Sequence, residues 1–404
     1  MIPLLAVVRN RTAHQTSKLP DGQCFIEYIR LFNFQPGGEG LVHCAISRLA
    51  TPRIRIGVKS LEEILRLNGG ITADLTISTR VIDAEATPRL HCKGRNHAVR
   101  DLLSCLPAHR PGRPTFAEGR QARSPLSPCR LCPNKCGAHH KEREYGRCRL
   151  GIETLVASAS PHFGEEAPLV GNGGSGTIFF ASCNMACVFC QNYEISHFAG
   201  GDELTAKQLA GAMLRLQRLG CHNINLVTPT HVMHSIVRAL AIAAQKGLCI
   251  PLVYNCGGYE ALKTLRLLEG VIDIYMPDIK YSSNEEAQRY SGVKDYWERA
   301  KESVREMYRQ VGDLEIDGNG VARRGLLIRH LVMPGNLAGT NQVLEFIARE
   351  ISRDSYVNVM DQYRPCFKAS RTPELSRLVT RSEYLRCITE ARRADITRGL
   401  PNWP

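Results

Sequence analysis

The sequence predicts an α/β chain built on a partial (β/α)6 TIM-like barrel. Three observations carry this. Short apolar segments alternate with helical ones six times between Thr177 and Met360. The segments are rich in β-branched and aromatic residues, and polar residues gather directly after them. Such alternation implies a parallel sheet, and right-handed crossovers curl that sheet into a barrel. Six units instead of eight leave it open on one side. The barrel occupies residues 171–365, behind a Cys-rich knuckle at 126–170 and a basic extension at 1–125, and ahead of a helical segment at 366–404.

The expected strands are Thr177–Phe180, Asn223–Val227, Ile250–Tyr254, Val271–Met276, Gly325–Met333 and Tyr356–Met360. Between them, helical periodicity runs over Leu204–Leu219, His231–Lys246, Tyr259–Leu268, Asp295–Gln310 and Asn341–Ile351. Residues 1–125 carry one strand-like piece, Ile54–Val58, one amphipathic stretch, Ser60–Leu67, and a linker at His109-Arg-Pro-Gly-Arg-Pro. The first twenty residues hold no acid, which fits a transit peptide or a poorly ordered extension. Cys24, Cys44, Cys92 and Cys105 show no ligand-like spacing.

With 404 residues, 43% of them apolar and 23% charged, the composition is that of an ordinary globular protein. No apolar run approaches the ~20 residues a membrane span requires, so neither membrane attachment nor a secretory route is expected. Sixteen Cys in a chain of this length, several at metal-binding spacings, point to reduced thiols in a cytoplasmic setting. The net charge is +13, and residues 1–125 supply 18 Lys and Arg against 10 Asp and Glu. Most of the surplus therefore lies outside the barrel. A basic face suits an acidic electron donor of the flavodoxin or ferredoxin type. Nucleic acid is a weaker expectation, because no basic groove interleaved with aromatics is readable.

Cys129-Arg-Leu-Cys132-Pro-Asn-Lys-Cys136 and the later Cys148 place four thiols within twenty residues. Such a knuckle can enclose zinc or a second iron–sulfur cluster, and spacing alone leaves both open. Glu165, Glu166 and the run Gly171-Asn-Gly-Gly-Ser-Gly176 lead into the first strand. Because these glycines precede a strand, close packing beside the thiol loop that follows it suits them better than phosphate binding.

Directly after that strand comes Cys183-Asn-Met-Ala-Cys187-Val-Phe-Cys190. Three thiolates at C-x3-C-x2-C spacing can hold three irons of a 4Fe-4S cluster, leaving the fourth open to a ligand. A zinc site lacking one ligand is the blander alternative. Barrel chemistry sits at the C-terminal ends of strands, and polar residues stand at each expected end. They are Thr228-Pro-Thr-His231, Asn255-Cys-Gly-Gly258, Asp278-Ile-Lys280, Arg329-His330 and Asp361-Gln-Tyr363. A lone His at such a place is more often a hydrogen-bonded core residue than a catalytic one. Among these residues Lys280 and Arg329 are the cations that could hold an anionic group at one shared mouth.

The Cys loop with Phe189 before its last thiol resembles the radical S-adenosylmethionine (SAM) superfamily. The resemblance implies a fold of the radical SAM type and catalytic roles for Cys183, Cys187, Cys190, Lys280 and Arg329. It also implies S-adenosylmethionine on the open iron, cleaved by one electron to methionine and a 5′-deoxyadenosyl radical, with Phe189 beside the adenine. Beyond that loop, Asn223–His231, Val253–Tyr259, Asp273–Lys280 and Arg329–Pro334 resemble PflX-type iron–sulfur proteins, homologues of the pyruvate formate-lyase activating enzymes. This likeness runs from about Cys129 to about Leu400 and includes the knuckle.

By that likeness Lys280 contacts the cofactor carboxylate, Arg329 faces the cofactor, and Asp278 with Met276 lies at a monovalent-cation site. Asn255 stands where those enzymes carry Asp. Thr228-Pro-Thr230 replaces a Gly-Gly-Glu turn, so backbone carbonyls there would receive the cofactor ammonium. The function implied is an activating-enzyme-like oxidoreductase acting on a protein with a glycine loop. Radical modification of a nucleic acid or small molecule is the alternative within the superfamily. A non-catalytic metal-binding interaction protein is the alternative outside it.

Overall fold

The computed structural model describes residues 128–140 and 144–401. All lie within one compact unit, Arg89–Pro404. The expectations for Ile54–Val58, Ser60–Leu67, Cys24, Cys44, Cys92, Cys105 and the N-terminal twenty residues fall outside the described residues. Along the chain come β1 (Leu155–His162), α1 (Ala167–Val170), β2 (Ser175–Phe180), α2 (Tyr193–Phe198), β3 (Asp202–Glu203) and α3 (Ala206–Arg218). Then follow β4 (Ile224–Val227), α4 (Met233–Gln245), β5 (Leu252–Cys256), α5 (Leu262–Leu267), β6 (Ile274–Pro277), α6 (Asn284–Ser291) and α7 (Tyr296–Val311). Last are β7 (Glu315–Ile316), β8 (Ala322–Leu331), α8 (Thr340–Phe346), β9 (Tyr356–Met360) and α9 (Arg381–Arg393).

Six strands, β2, β4, β5, β6, β8 and β9, pair in parallel in that order. These are the six expected from the sequence. Among the described residues β9 pairs with β8 alone, while β1 lies antiparallel on β2, so the barrel is open between them. No helix among the described residues is long and apolar enough to cross a membrane.

Parallel strands covered on both faces read as continuous apolar runs, and β5 and β6 are buried at every position. Their side chains still alternate. Leu252, Tyr254, Cys256, Tyr275, Leu326 and Ile328 join the core between sheet and helices. Val253, Ile274, Met276 and Leu327 pack inside the barrel with Leu169 from α1. Period two then puts Asn255, Asp278 and Arg329 on the inner face, one layer nearer the C-terminal mouth.

The helices follow local rules. A reciprocal capping box between Thr205 and Gln208 starts α3, which buries Leu209, Met213 and Leu216 against the sheet. Each such side chain contributes roughly 1.5–3 kcal/mol. A second box, Thr380 with Glu383, starts α9, whose Tyr384 hydroxyl donates to the Val359 carbonyl on β9. The glycines leading into β2 serve close packing, but at the start of the strand against Gly220, His222 and Asn223 and not beside the thiol loop, which lies at the other end of β2. A Cβ on Gly176 would stand 2.6 Å from the Asn223 carbonyl oxygen, so alanine there would push β2 off β4. β1 was not expected, because Leu-Val-Ala-Ser-Ala-Ser-Pro-His is poor in strand formers. It forms as an antiparallel strand covering the free edge of β2.

Candidate active site

Immediately after β2 the backbone turns through Ser182, held at φ 70°, and enters the Cys loop. The loop is pinned from outside: the Ala186 and Val188 amides donate to the carbonyls of Ser291 and Tyr290 at the end of α6. Each thiol also receives a donor. The Met185 amide points at Cys183 Sγ (3.4 Å), Ser291 Oγ at Cys187 Sγ (2.9 Å) and Ser196 Oγ at Cys190 Sγ (3.1 Å). Burial pushes the Cys187 thiol up to about 11 against the pull of nearby Lys280, and it raises Cys183 further. Such thiols ionise readily only with a positive partner, which a metal centre supplies. Phe189 is buried in an aromatic shell, 6.2 Å from the Tyr281 ring and 6.1 Å from Tyr363.

Facing the loop is a charged layer centred on Arg329. Strand register brings Arg329 level with Asp278 as a parallel bridge. The guanidinium donates from Nε to Asp278 Oδ1 (2.7 Å) and from Nη2 to Asn255 Oδ1 (2.8 Å). Its Nη1 lies 3.5 Å from Glu165 and 3.7 Å from Glu166. On the other side Asp278 Oδ2 accepts from Lys280 Nζ at 2.6 Å. Burial would raise the Asp278 carboxyl, but Arg329 and Lys280 outweigh it and hold the group near 2. Lys280 and Arg329 lose hydration too, yet their acidic neighbours keep both firmly protonated. Burial pushes Glu165 up to about 7 despite Arg329. The Tyr296 hydroxyl, bonded to the Lys280 amide and to the carbonyls of Gly257 and Asp278, fixes the ends of β5 and β6 together.

Gly257 marks where loop and layer meet. A Cβ there would lie 2.9 Å from Met185 Sδ and 3.7 Å from Lys280 Cε. Thr228, at the end of β4, is held at φ 51° while its amide donates to the Asn255 carbonyl.

Not every polar residue at a strand end reaches this mouth. Asn255, Asp278, Lys280 and Arg329 converge, whereas three others go elsewhere. His330 alternates to the outer face, bonded to the Ile279 carbonyl and Thr340 Oγ1. His231 opens a helical turn and bonds the Ala181 carbonyl. Burial drops both imidazoles to about 4, so both are neutral core residues. Asp361 is solvent-exposed. Sequence reasoning gave no role to Glu165, Glu166, Ser196, Ser291 or Tyr296. Two adjacent carboxylates ahead of a Gly-rich run were the one readable signal.

The knuckle adjoins the loop. Asn134 Nδ2 donates to the Asn184 carbonyl (2.7 Å), and Ser182 Oγ donates to the Cys148 carbonyl. Within it the sulfurs of Cys129 and Cys136 and a ring nitrogen of His140 all lie within 4.8 Å of one another. His140 was missed because its partners are four and eleven residues away, outside the usual paired turns. Cys132 receives Asn134 Nδ2 on its sulfur at 3.5 Å.

An open parallel barrel with three half-buried thiols behind its first strand, each supplied with a hydrogen-bond donor, defines an enzyme built around an iron–sulfur cofactor. Comparison agrees. The chain belongs to the radical SAM superfamily, whose sequence model matches residues 177–315. It is 32% identical over 278 residues to uncharacterized protein MJ0674 of Methanocaldococcus jannaschii, covering 66% of this chain and 75% of that one. The superfamily implies a 4Fe-4S cluster and S-adenosylmethionine. The residues present fit both: three thiols for three irons, and beside them Arg329 and Lys280, the latter next to Gly257.

Proposed function

We propose that this chain is an activating-enzyme-like oxidoreductase that installs a glycyl radical on a partner protein. When bound, the cluster and S-adenosylmethionine supply a 5′-deoxyadenosyl radical for hydrogen-atom abstraction. The observation that supports its cofactor half is the pairing of Lys280 and Arg329 across Asp278, next to the Cys loop, and the activating half rests on the likeness of Asp273–Lys280 and Arg329–Pro334 to the activating enzymes. Such a pair is preorganised for a carboxylate, since Asp278 fixes both cations without consuming all their donors.

In this reading Cys183, Cys187 and Cys190 hold three irons, and their serine and amide donors moderate the charge on sulfur. Lys280 and Arg329 orient the cofactor carboxylate, and the strained turn at Thr228 offers carbonyls to its ammonium. Asn255 keeps the guanidinium in plane, while Phe189 with its tyrosine shell excludes water behind the loop. A glycine-bearing segment would approach through the open side of the barrel between β1 and β9. An acidic flavodoxin or ferredoxin in the cytoplasm would deliver the electron.

Anaerobically purified protein, reduced in the presence of S-adenosylmethionine, should release 5′-deoxyadenosine, and Cys187→Ala should abolish both colour and release. With a glycyl-radical partner added, a glycyl doublet should appear in the electron paramagnetic resonance spectrum. Release without that doublet on any such partner would move the target to a nucleic acid or small molecule. A colourless protein that binds metal without release would leave an interaction module.

A further inference from the structure

We propose that the knuckle is a single-ion site of the zinc class, ligated by Cys129, Cys136 and His140, with one further thiol of the knuckle as the fourth donor. Neither iron–sulfur chemistry nor S-adenosylmethionine enters this inference.

The geometry is that of one ion. Donors about 2.0–2.3 Å from a tetrahedral zinc stand roughly 3.3–3.8 Å apart. Cys129, Cys136 and His140 already lie within 4.8 Å of one another, so small side-chain rotations close the set. A cubane spreads its thiolates over separate irons and would hold them wider. A mixed thiolate and imidazole set also suits zinc.

The imidazole is prepared as a ligand. His140 Nδ1 donates to the Glu144 carbonyl at 3.0 Å, which leaves Nε2 as the bare nitrogen. A histidine oriented by a backbone carbonyl in this way is the usual outer-shell arrangement of a metal site. Gly146 shows where that nitrogen points: a Cβ there would stand 2.8 Å from Cys136 Sγ and 3.5 Å from His140 Nε2. Sulfur and nitrogen thus face one spot over a residue with no side chain.

Two thiols of the knuckle compete for the fourth place. Cys132 stands in the same C-x2-C turn as Cys129 and accepts from Asn134 Nδ2 at 3.5 Å, while Cys148 follows Gly146, over which the sulfur of Cys136 and the imidazole meet. The geometry fixes three ligands, and the variants below decide which thiol supplies the fourth.

The test uses the full chain purified anaerobically, with metal content and cobalt(II) spectra as readouts. We expect about one zinc per chain beside the cluster iron, unchanged when Cys183, Cys187 and Cys190 are all replaced by Ala. Cobalt-loaded protein should show the bands of a tetrahedral site with three sulfurs and one nitrogen. His140→Ala and Cys136→Ser should each cut zinc occupancy about tenfold or more, and one of Cys132→Ser and Cys148→Ser, not both, should do the same. Iron with sulfide in the knuckle, no metal there, a four-sulfur cobalt spectrum, or zinc that survives His140→Ala would each overturn the assignment. Should a ligand variant fail to fold, the cobalt spectrum and zinc content of the unmutated chain decide alone.

Discussion

Asn134 Nδ2 reaches across to the Asn184 carbonyl at 2.7 Å, and with the Ser182 hydroxyl on the Cys148 carbonyl this hydrogen bond ties the knuckle to the loop of three thiols. Asn184 is itself fully buried, with its side-chain amide on the Tyr259 carbonyl. Knuckle, loop and the end of β5 are thus one connected unit. Asn134→Ala strands a buried acceptor and should cost about 1–3 kcal/mol. Iron–sulfur absorbance should also decay faster in air than in the wild type. Unchanged urea midpoint and unchanged decay would mean the link carries no load.

Arg329 serves four partners with one planar fork. Lysine cannot reproduce that geometry, so Arg329→Lys should lower 5′-deoxyadenosine release about ten- to a hundredfold, even at saturating cofactor. Arg329→Gln should further destabilise the fold by about 3–5 kcal/mol, because Asp278 and Glu166 lose their main counter-charge. Chemical unfolding of the two variants side by side separates the effects.

Ser291 Oγ sits 2.9 Å from Cys187 Sγ and 2.8 Å from the Tyr281 hydroxyl. Donors to sulfur stabilise the reduced, more negative cluster. Ser291→Ala should therefore lower the reduction potential, by roughly 40 mV for each 1 kcal/mol of hydrogen bond lost. An anaerobic redox titration would read it, and an upward shift would contradict the geometry.

Glu260 is buried behind β5, accepting from Thr230 Oγ1 (2.7 Å) and the Tyr254 hydroxyl (2.8 Å). Burial raises its carboxyl to about 7 from an ordinary 4.5. The folded state thus binds the proton more tightly, and the stability this gives is full below 4.5 and is lost as pH rises through 7. His231 and His330, depressed from 6.5 to about 4, act oppositely and remove stability as pH falls through that window. Comparing Glu260→Gln with wild type isolates the carboxyl. Between pH 4.5 and 7.5 the difference in unfolding free energy should move by on the order of 3 kcal/mol in favour of Gln.

The barrel was legible because its strands are apolar on both faces and its helices are amphipathic. The six strand cores were readable to within a few residues, and the thiol loop was readable from spacing. β1 was hidden because its pairing with the edge of β2 compensates for weak strand propensity. Asn255, Asp278 and Arg329 could be placed at strand ends, and period two then decided their inward direction. The same alternation turns His330 away, so a polar tip alone does not predict a catalytic residue. Ser291 and Glu166 meet their partners only through tertiary folding, and His140 meets Cys136 and Glu144 across irregular turns whose geometry short sequence motifs do not encode.

Ser182 and Thr228, at the ends of neighbouring strands β2 and β4, both sit in the left-handed region at φ 70° and 51°. For a β-branched threonine that conformation stores on the order of 1–3 kcal/mol, maintained by the surrounding framework. Durability and performance should therefore diverge at this corner. Thr228→Gly is expected to resist urea better than the native chain while turning over more slowly, as a spring does when its tension is let out.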